Sequence, residues 1–414
     1  MDKQKEKQKY LNIAKQNSGI TLIALVITII VLLILAGVAL ATLTGNTSII
    51  NNANKAVEKY NASANEDQKV LNQVKDLFAK YMGGEQSGET GDDDDDDTPP
   101  AATEVTLTAG QSASVDASGY ATIKTKIVAD AEHNIQIVIP TGFAPAILSG
   151  SNSTTSNPGQ DGSIKNVMPA AQWSSITAAQ INAGVVIKNA AGEEFVWVPI
   201  PNSSDFARAA WKTRDTYQLV LGLTDNYWDD TSTTEYINMV NSVNANKGFY
   251  MSRYEASQGT GNVAQSKRGQ EAWCYVTRSE AIAAISANPI PNAHLIYGIE
   301  WDSTIIWIQK VSGMSVTDSR YWGNYNNSPA PIGVYTPKGS TTTLIRTTGY
   351  HEYWKANNIY DMAGNVLEMT QENSGTDAMP ARGGYCGNKG DKSPAADRLD
   401  YNKTASWYNM RFPF

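Results

Sequence analysis

Ile359–Glu372 reads "IYDMAGNVLEMTQE". It places Asp361 and Glu368 seven residues apart around a Gly364-Asn365 pair. Gly and Asn together mark a turn, since both tolerate left-handed backbone. Two carboxylates beside one turn in an apolar stretch belong either to a reaction or to a scaffold. The rest of the chain has to decide which.

Outward from this stretch the chain speaks in short strands, tryptophans and long polar loops, from about Ile135 to Phe414. "GVVIKNAAGEEFVWVPIP" predicts a hairpin, with Val185–Lys188 and Phe195–Val198 joined by a turn at Asn189–Gly192. "GFYMSRYEAS", Gly248–Ser257, predicts another strand. "TRSEAIAAISAN", Thr277–Asn288, predicts a helix with Ser279 as N-cap. "WDSTIIWIQKVSG" predicts a second, from near Asp302 to Gly313.

The 414 residues suffice for two or three domains. A net charge of −8 leaves no basic footprint for nucleic acid. Two cysteines, Cys274 and Cys386, exclude a disulfide scaffold or a cysteine zinc module, and three scattered histidines leave little for a histidine metal centre. "GTGNVA", Gly259–Ala264, fits a dinucleotide fingerprint in letters only, because no helix pattern follows it. His351 has no identifiable catalytic partner.

The N-terminus sets the compartment. Residues 1–19 are a lysine-rich leader, and Ile20–Leu43 runs 24 residues without a charge. As a helix that run is long enough to cross a bilayer, with its lysines cytoplasmic and the rest of the chain outside. Apolar positions at Ile49, Ile50, Ala53, Val57 and Tyr60, then Val70, Leu71, Val74, Leu77, Phe78 and Tyr81, continue a helix over residues 20–82. Residues 83–103 form an acidic Gly/Pro linker with six consecutive aspartates. Residues 104–134 alternate as strands, either a small module or a layer added to the head.

Basic leader, Gly19 and "ITLIA" opening an apolar helix together resemble the type IV prepilin N-terminus. The resemblance implies cleavage between Gly19 and Ile20 by a prepilin peptidase, and other pilins as partners. Ala24 stands where pilins usually carry the glutamate assigned to subunit docking. A plain membrane anchor is the alternative.

Over roughly residues 137–414, "FVWVPI", "FYMSRYEAS", "SRYWGN", "IYDMAGNVLEMTQE", "RGGYCGN" and "YNMRF" resemble, in order, the formylglycine-generating enzyme or sulfatase-modifying factor domain, a variant of the C-type lectin fold. The fold class this implies is α+β: a long N-terminal pilin-like helix, then a C-type lectin-like head over residues 135–414 with short strands, two helices and long loops. The family's enzymes use two cysteines with four residues between them, whereas "RGGYCGNKGDK" offers Cys386 alone, with Asp391 at the partner position. No copper or iron site is evident. Cys386 stays open between a core thiol, a disulfide with Cys274 and a catalytic thiol. The resemblance further implies a structural calcium ion held by the carboxylates of Asp361 and Glu368 and the carbonyls of Gly364 and Val366, with Glu255 approaching it. Calcium takes six to eight oxygens at about 2.4 Å. The alternative is that Asp361 caps a turn and Glu368 pairs with an arginine such as Arg382.

The C-terminal region sets Tyr385, Tyr401, Trp407 and Tyr408 among Asn388, Asp391, Asp400, Asn402 and Asn409. Tyr and Trp with small polar neighbours suit a binding face. The segment also resembles the variable region of retroelement-diversified proteins, whose mutagenised Asn codons yield Asn, Asp, Ser and Tyr. The expected function is a bacterial cell-surface, pilin-like adhesin with a protein or glycan ligand. The alternatives are a membrane-tethered modifying enzyme of the sulfatase-modifying type and a minor pseudopilin.

Overall fold

The computed structural model describes residues 103–150, 161–212, 218–221, 227–329, 332, 345–375, 377–406 and 410–414. The chain divides into Met1–Asp97 and Thr98–Phe414, and everything below concerns the second unit. The leader, Gly19, Ile20, the apolar run, the helix expected over 20–82 and most of the linker lie outside the described residues, as do Trp407, Tyr408 and Asn409.

The expected α+β class, with its long apolar helix, is corrected for what is described. Their regular structure is mostly strand, with four α-helices among the described residues, and none of the helices is long and apolar enough to cross a membrane. The head was expected to hold two helices, and the other two were missed for a physical reason. α1 (Ala178–Ala183) is six residues long, and α2 (Thr234–Asn246) buries only Met239 and Val243, so neither prints a strong apolar stripe. Both are announced by their caps instead. Thr177 and Gln180 form a capping box, and the Thr233 side chain accepts from the Tyr236 N–H. α3 (Arg278–Ser286) is capped by Thr277 with Glu280, two residues before the expected Ser279. α4 (Gly298–Ser312) starts earlier than expected and ends at left-handed Gly313.

Three sheets make up the frame. The first is β1 (Glu104–Leu107), β2 (Lys124–Asp130) and β3 (Ile135–Ile139), with β1 parallel to β2. The second has the order β10-β7-β6-β4-β5 and contains β4 (Phe143–Leu148), β5 (Ile164–Val167), β6 (Val186–Asn189), β7 (Glu194–Pro199) and β10 (Gly248–Ser252). Its neighbours all run antiparallel, and the β6–β7 hairpin turns through Gly192. The third has the order β17-β16-β15-β18: β15 (Leu367–Met369), β16 (Ala378–Arg382), β17 (Leu399–Asn402) and β18 (Met410–Arg411). Short ribbons pair β8 (Ala209–Lys212) with β9 (Gln218–Leu221), β11 (Ser257–Gln258) with β12 (Ala264–Gln265), and β13 (Lys355–Ala356) with β14 (Ile359–Tyr360). The Gly259–Ala264 motif is the turn between β11 and β12.

β7 shows why the second sheet is central. Its side chains alternate between two cores, as a period of two requires. Phe195 and Trp197 join Phe143, Phe412 and Phe414 on one face, and Val196 and Val198 join Trp301, Ile305 and Ile308 on the other. A strand buried on both faces reads as a continuous apolar run. Phe143, Phe195 and Phe414 stack edge to face at 5.8 and 5.5 Å. Leu107, Ile127 and Ile137 of the first sheet belong to the same core as Phe195, so the small β segment packs as a layer of this unit.

The C-terminal peptide closes the frame. Met410 to Phe414 are all buried. β18 runs parallel to β15, while the Phe412 and Phe414 carbonyls accept from the Ala256 and Ser252 N–H groups at 3.1 and 2.7 Å. The chain end thus bridges the second and third sheets.

Candidate functional site: a buried carboxylate cavity

The turn that presents Asp361 is built locally. Ala356 pairs with Ile359, leaving a two-residue loop of Asn357 (φ 44°) and Asn358 (φ 69°). Positive φ at both central positions is the twist-matched hairpin turn, and Asn tolerates it. The Tyr360 and Asp361 N–H groups bond the Arg253 and Trp354 carbonyls, both at 2.9 Å. Asp361, Gly364 and Asn365 then take φ of 62°, 71° and 62°, bending the chain round into β15.

The glycines of "RGG" make room. A Cβ on Gly383 would collide with Glu368 Oε2 and sit 3.0 Å from the Met362 carbonyl; one on Gly384 would collide with the Ser393 carbonyl. Their φ values of 79° and 70° are also left-handed. The same close approach lets Gly364 N–H donate to the Gly383 carbonyl at 2.8 Å.

Asp361, Glu368 and Glu255 are 0, 1 and 3% exposed. All three line one cavity of about 10 Å³, walled also by Tyr254, Trp301 and Met362. That is room for one water-sized particle. Asp361 Oδ2 accepts from the Gly349 N–H at 2.8 Å, and Glu255 Oε2 pairs with Arg411 Nη1. The remaining oxygens, Asp361 Oδ1, Glu255 Oε1 and both of Glu368, are buried with no hydrogen-bond partner. Burial pushes the Asp361 carboxyl up to about 7 against the pull of the Gly349 N–H and of Arg268. Burial, then the charge of Asp361, pushes Glu368 well above the usual carboxylate range. An unpaired buried carboxylate costs several kcal/mol, about as much as any single defect a fold carries.

The alternative pairing of Glu368 with Arg382 does not form. The two stand opposite each other on β15 and β16, but Arg382 bonds Asp302 at 2.8 Å and Glu372 at 3.2 Å. It belongs to a buried network in which Arg208, Arg382 and Arg398 surround Asp302 and Glu372. Although burial opposes it, the charges of Arg398, Arg382 and Arg208 hold Asp302 down at about 2. That network consumes the arginine and leaves Glu368 without one.

Gly364 and Val366 lie buried in the turn between the two carboxylates. Among the described residues, no group of three or more His, Cys, Asp or Glu side chains is placed to hold a metal ion. Any cation in the cavity would therefore draw on main-chain oxygens as well. Cys274 and Cys386 are both free and half-buried, and burial pushes their thiols up to about 12 and 11. Neither is a thiolate near neutrality. His351 accepts from the Tyr353 N–H at its helix cap, and burial lowers its pKa.

The predicted ligand residues separate into two groups. Tyr385, Asn388 and Asp391 lie in a loop stapled to residues 326–327. Asn388 accepts from the Tyr385 and Asn326 N–H groups, and Asp391 accepts from Asn327 Nδ2 at 2.7 Å. Tyr385 and Tyr401 are half-buried against the core. Asp400 and Asn402 are exposed on β17, at the end of the third sheet's order. Four exposed aromatics, Trp228, Tyr275, Tyr321 and Tyr350, were missed among the described residues. Trp228 is 48% exposed, and its backbone pairs with Asn373. Tyr275 is 69% exposed at φ 60°, a strained conformation for a bulky residue. Arg278 Nη2 bonds Asn373 Oδ1 at 3.2 Å, and Lys403 N–H bonds the Asp377 carbonyl at 3.0 Å. Arg278 at the α3 start and Trp228 thus meet at Asn373. No sequence pattern in "WCYVT" announces Tyr275.

No protein-family model and no curated protein matches the chain. Among solved structures, PvdO from Pseudomonas aeruginosa matches over 55% of this chain and 96% of its own, at 12% identity and a TM-score of 0.27. A likeness at that score settles neither fold nor function.

Proposed function

We propose that this chain is a cell-surface recognition protein whose head presents a ligand face on a frame held by one structural calcium ion. The observation that carries this reading is the set of buried, partnerless carboxylate oxygens around one small cavity. The donor set suits calcium, because Asp361, Glu368 and Glu255 offer hard oxygens and no thiolate or imidazole lines the cavity. Gly364 and Val366 are not among the residues lining the cavity, so the carbonyls needed to complete the shell would come from the lining residues' own main chain. Calcium would supply charge neutralisation, tying the 361–366 turn to β15.

The residues around the cavity are arranged to hold rather than react. Both thiols are protonated near neutrality, and the carboxylates face apolar and aromatic walls. The ligand face combines Asp400 and Asn402 with Trp228 and Tyr275, and its partner is an extracellular protein or glycan. Display follows from the lysine-rich leader, prepilin-like processing at Gly19–Ile20 and membrane attachment through Ile20–Leu43.

The test is calorimetric titration of the full chain in detergent with calcium, where one ion per chain is expected. Ligand capture on glycan and protein arrays is expected to fall when calcium is chelated. Oxidation of a cysteine peptide by the copper-loaded chain would overturn the recognition reading.

A further inference from the structure

We propose that Arg411 is a specificity-determining residue of the carboxylate cavity: a built-in counter-charge that matches the site to a divalent cation. This rests on the calcium reading above and names what tunes that site.

When ionised, Glu255, Asp361 and Glu368, which line the cavity, carry three negative charges. Arg411 brings one positive charge against Glu255, so two negative charges remain. Among the described residues Arg382 also acts on Glu368, but its charge and that of Arg253 are balanced by other carboxylates. Arg382 is held by Asp302 and Glu372, and Arg253 by Glu194 at 2.6 Å. Arg268 acts on Asp361, but it is bonded to Glu352 and 30% exposed, where solvent screens it.

The main chain fixes where that charge sits. Arg411 lies opposite Glu368 in the β15–β18 ladder, and its neighbours Met410 and Phe412 are fully buried. Its Nη2 donates to the Arg346 carbonyl at 3.3 Å, while Nε has no partner. Its charge is held against a carboxylate of the cavity although burial works against that charge. Glu255 lines the cavity and keeps its Oε1 without a partner.

The consequence is a charge preference. Ion binding scales with the product of ion charge and site charge. Removing Arg411 therefore tightens a trivalent ion more than a divalent one, and removing a carboxylate does the reverse.

The test uses the full chain in detergent, titrated with calcium and separately with terbium. Terbium emission would be sensitised by Trp301, which lines the cavity. In Arg411→Met both ions are expected to bind more tightly, with the terbium-to-calcium affinity ratio rising tenfold or more, on the order expected for one buried charge. Arg411→Lys, which keeps the charge, is expected to hold the ratio within about threefold of the starting protein. Glu255→Gln keeps shape and an oxygen and is expected to lower the ratio by about tenfold or more. It carries the test alone if Arg411→Met does not fold. An unchanged ratio in Glu255→Gln, or in a folded Arg411→Met, overturns the proposal and leaves the calcium reading standing. Failure of the unaltered chain to bind either ion overturns the calcium reading itself.

Discussion

Removing calcium and raising the pH from about 5 to about 7 is expected to weaken the fold, and the size of the loss follows from Asp361. Its carboxyl has an ordinary pKa of 3.8 when unfolded and about 7 when folded. Between those values the folded chain keeps a proton that the unfolded chain has released. Stability then falls as pH rises, by about 1.4 kcal/mol per unit per group. Asp361 alone accounts for a loss of about 2–3 kcal/mol between pH 5 and 7. Its effect is absent below 3.8 and complete above about 7. Glu368 is shifted in the same direction, so it adds a loss of the same sign that continues to higher pH. With calcium bound, the ion displaces those protons and the slope is expected to flatten or reverse. The assay is urea denaturation of the full chain in detergent across this range, with chelator and with millimolar calcium. A chelated chain equally stable or more stable at pH 7 than at pH 5 would refute the reasoning. So would parallel curves with and without calcium.

Gly383→Ala places a Cβ against Glu368 Oε2 at a left-handed φ. It is expected to cost about 1–3 kcal/mol in chemical denaturation and to weaken calcium binding. Asp302→Asn leaves three arginines facing a neutral amide and is expected to destabilise by about 3–5 kcal/mol; a change under about 1 kcal/mol would show the network to be dispensable. The Asp302 carboxyl is held low, so its stabilisation is present above pH 3.8 and is lost as pH falls toward about 2. Tyr275→Gly relieves a strained backbone and is expected to stabilise by up to about 1 kcal/mol while reducing capture on the arrays. Undiminished capture would remove Tyr275 from the ligand face.

Elements whose pattern is local were legible in the sequence. The β6–β7 hairpin follows from alternating apolar residues around a Gly-containing turn, and α3 and α4 from apolar periodicity with caps. The six-residue α1 and the asparagine-rich α2 were not legible, because their stability comes from capping and from a few tertiary contacts. The Asn357-Asn358 turn carried a signal, two residues tolerant of positive φ between short apolar runs, that went unread. Ligand-face residues fared differently. Asn388 and Asp391 look like free polar groups in sequence, yet the structure uses them to staple a loop.

The sequence alone determined that Asp361 and Glu368 flank a tight turn, and that Cys386 has no second cysteine near it in the chain. Those are facts of residue type and short spacing. Tertiary structure decided the rest. It took Arg382 away from Glu368 and spent it on Asp302 and Glu372. It also brought Arg411 against Glu255, a cavity residue 156 positions away in sequence. No local pattern encodes such pairings, because a buried charge chooses its partner from whatever the folded chain brings within reach, and only the packed sheets fix that reach.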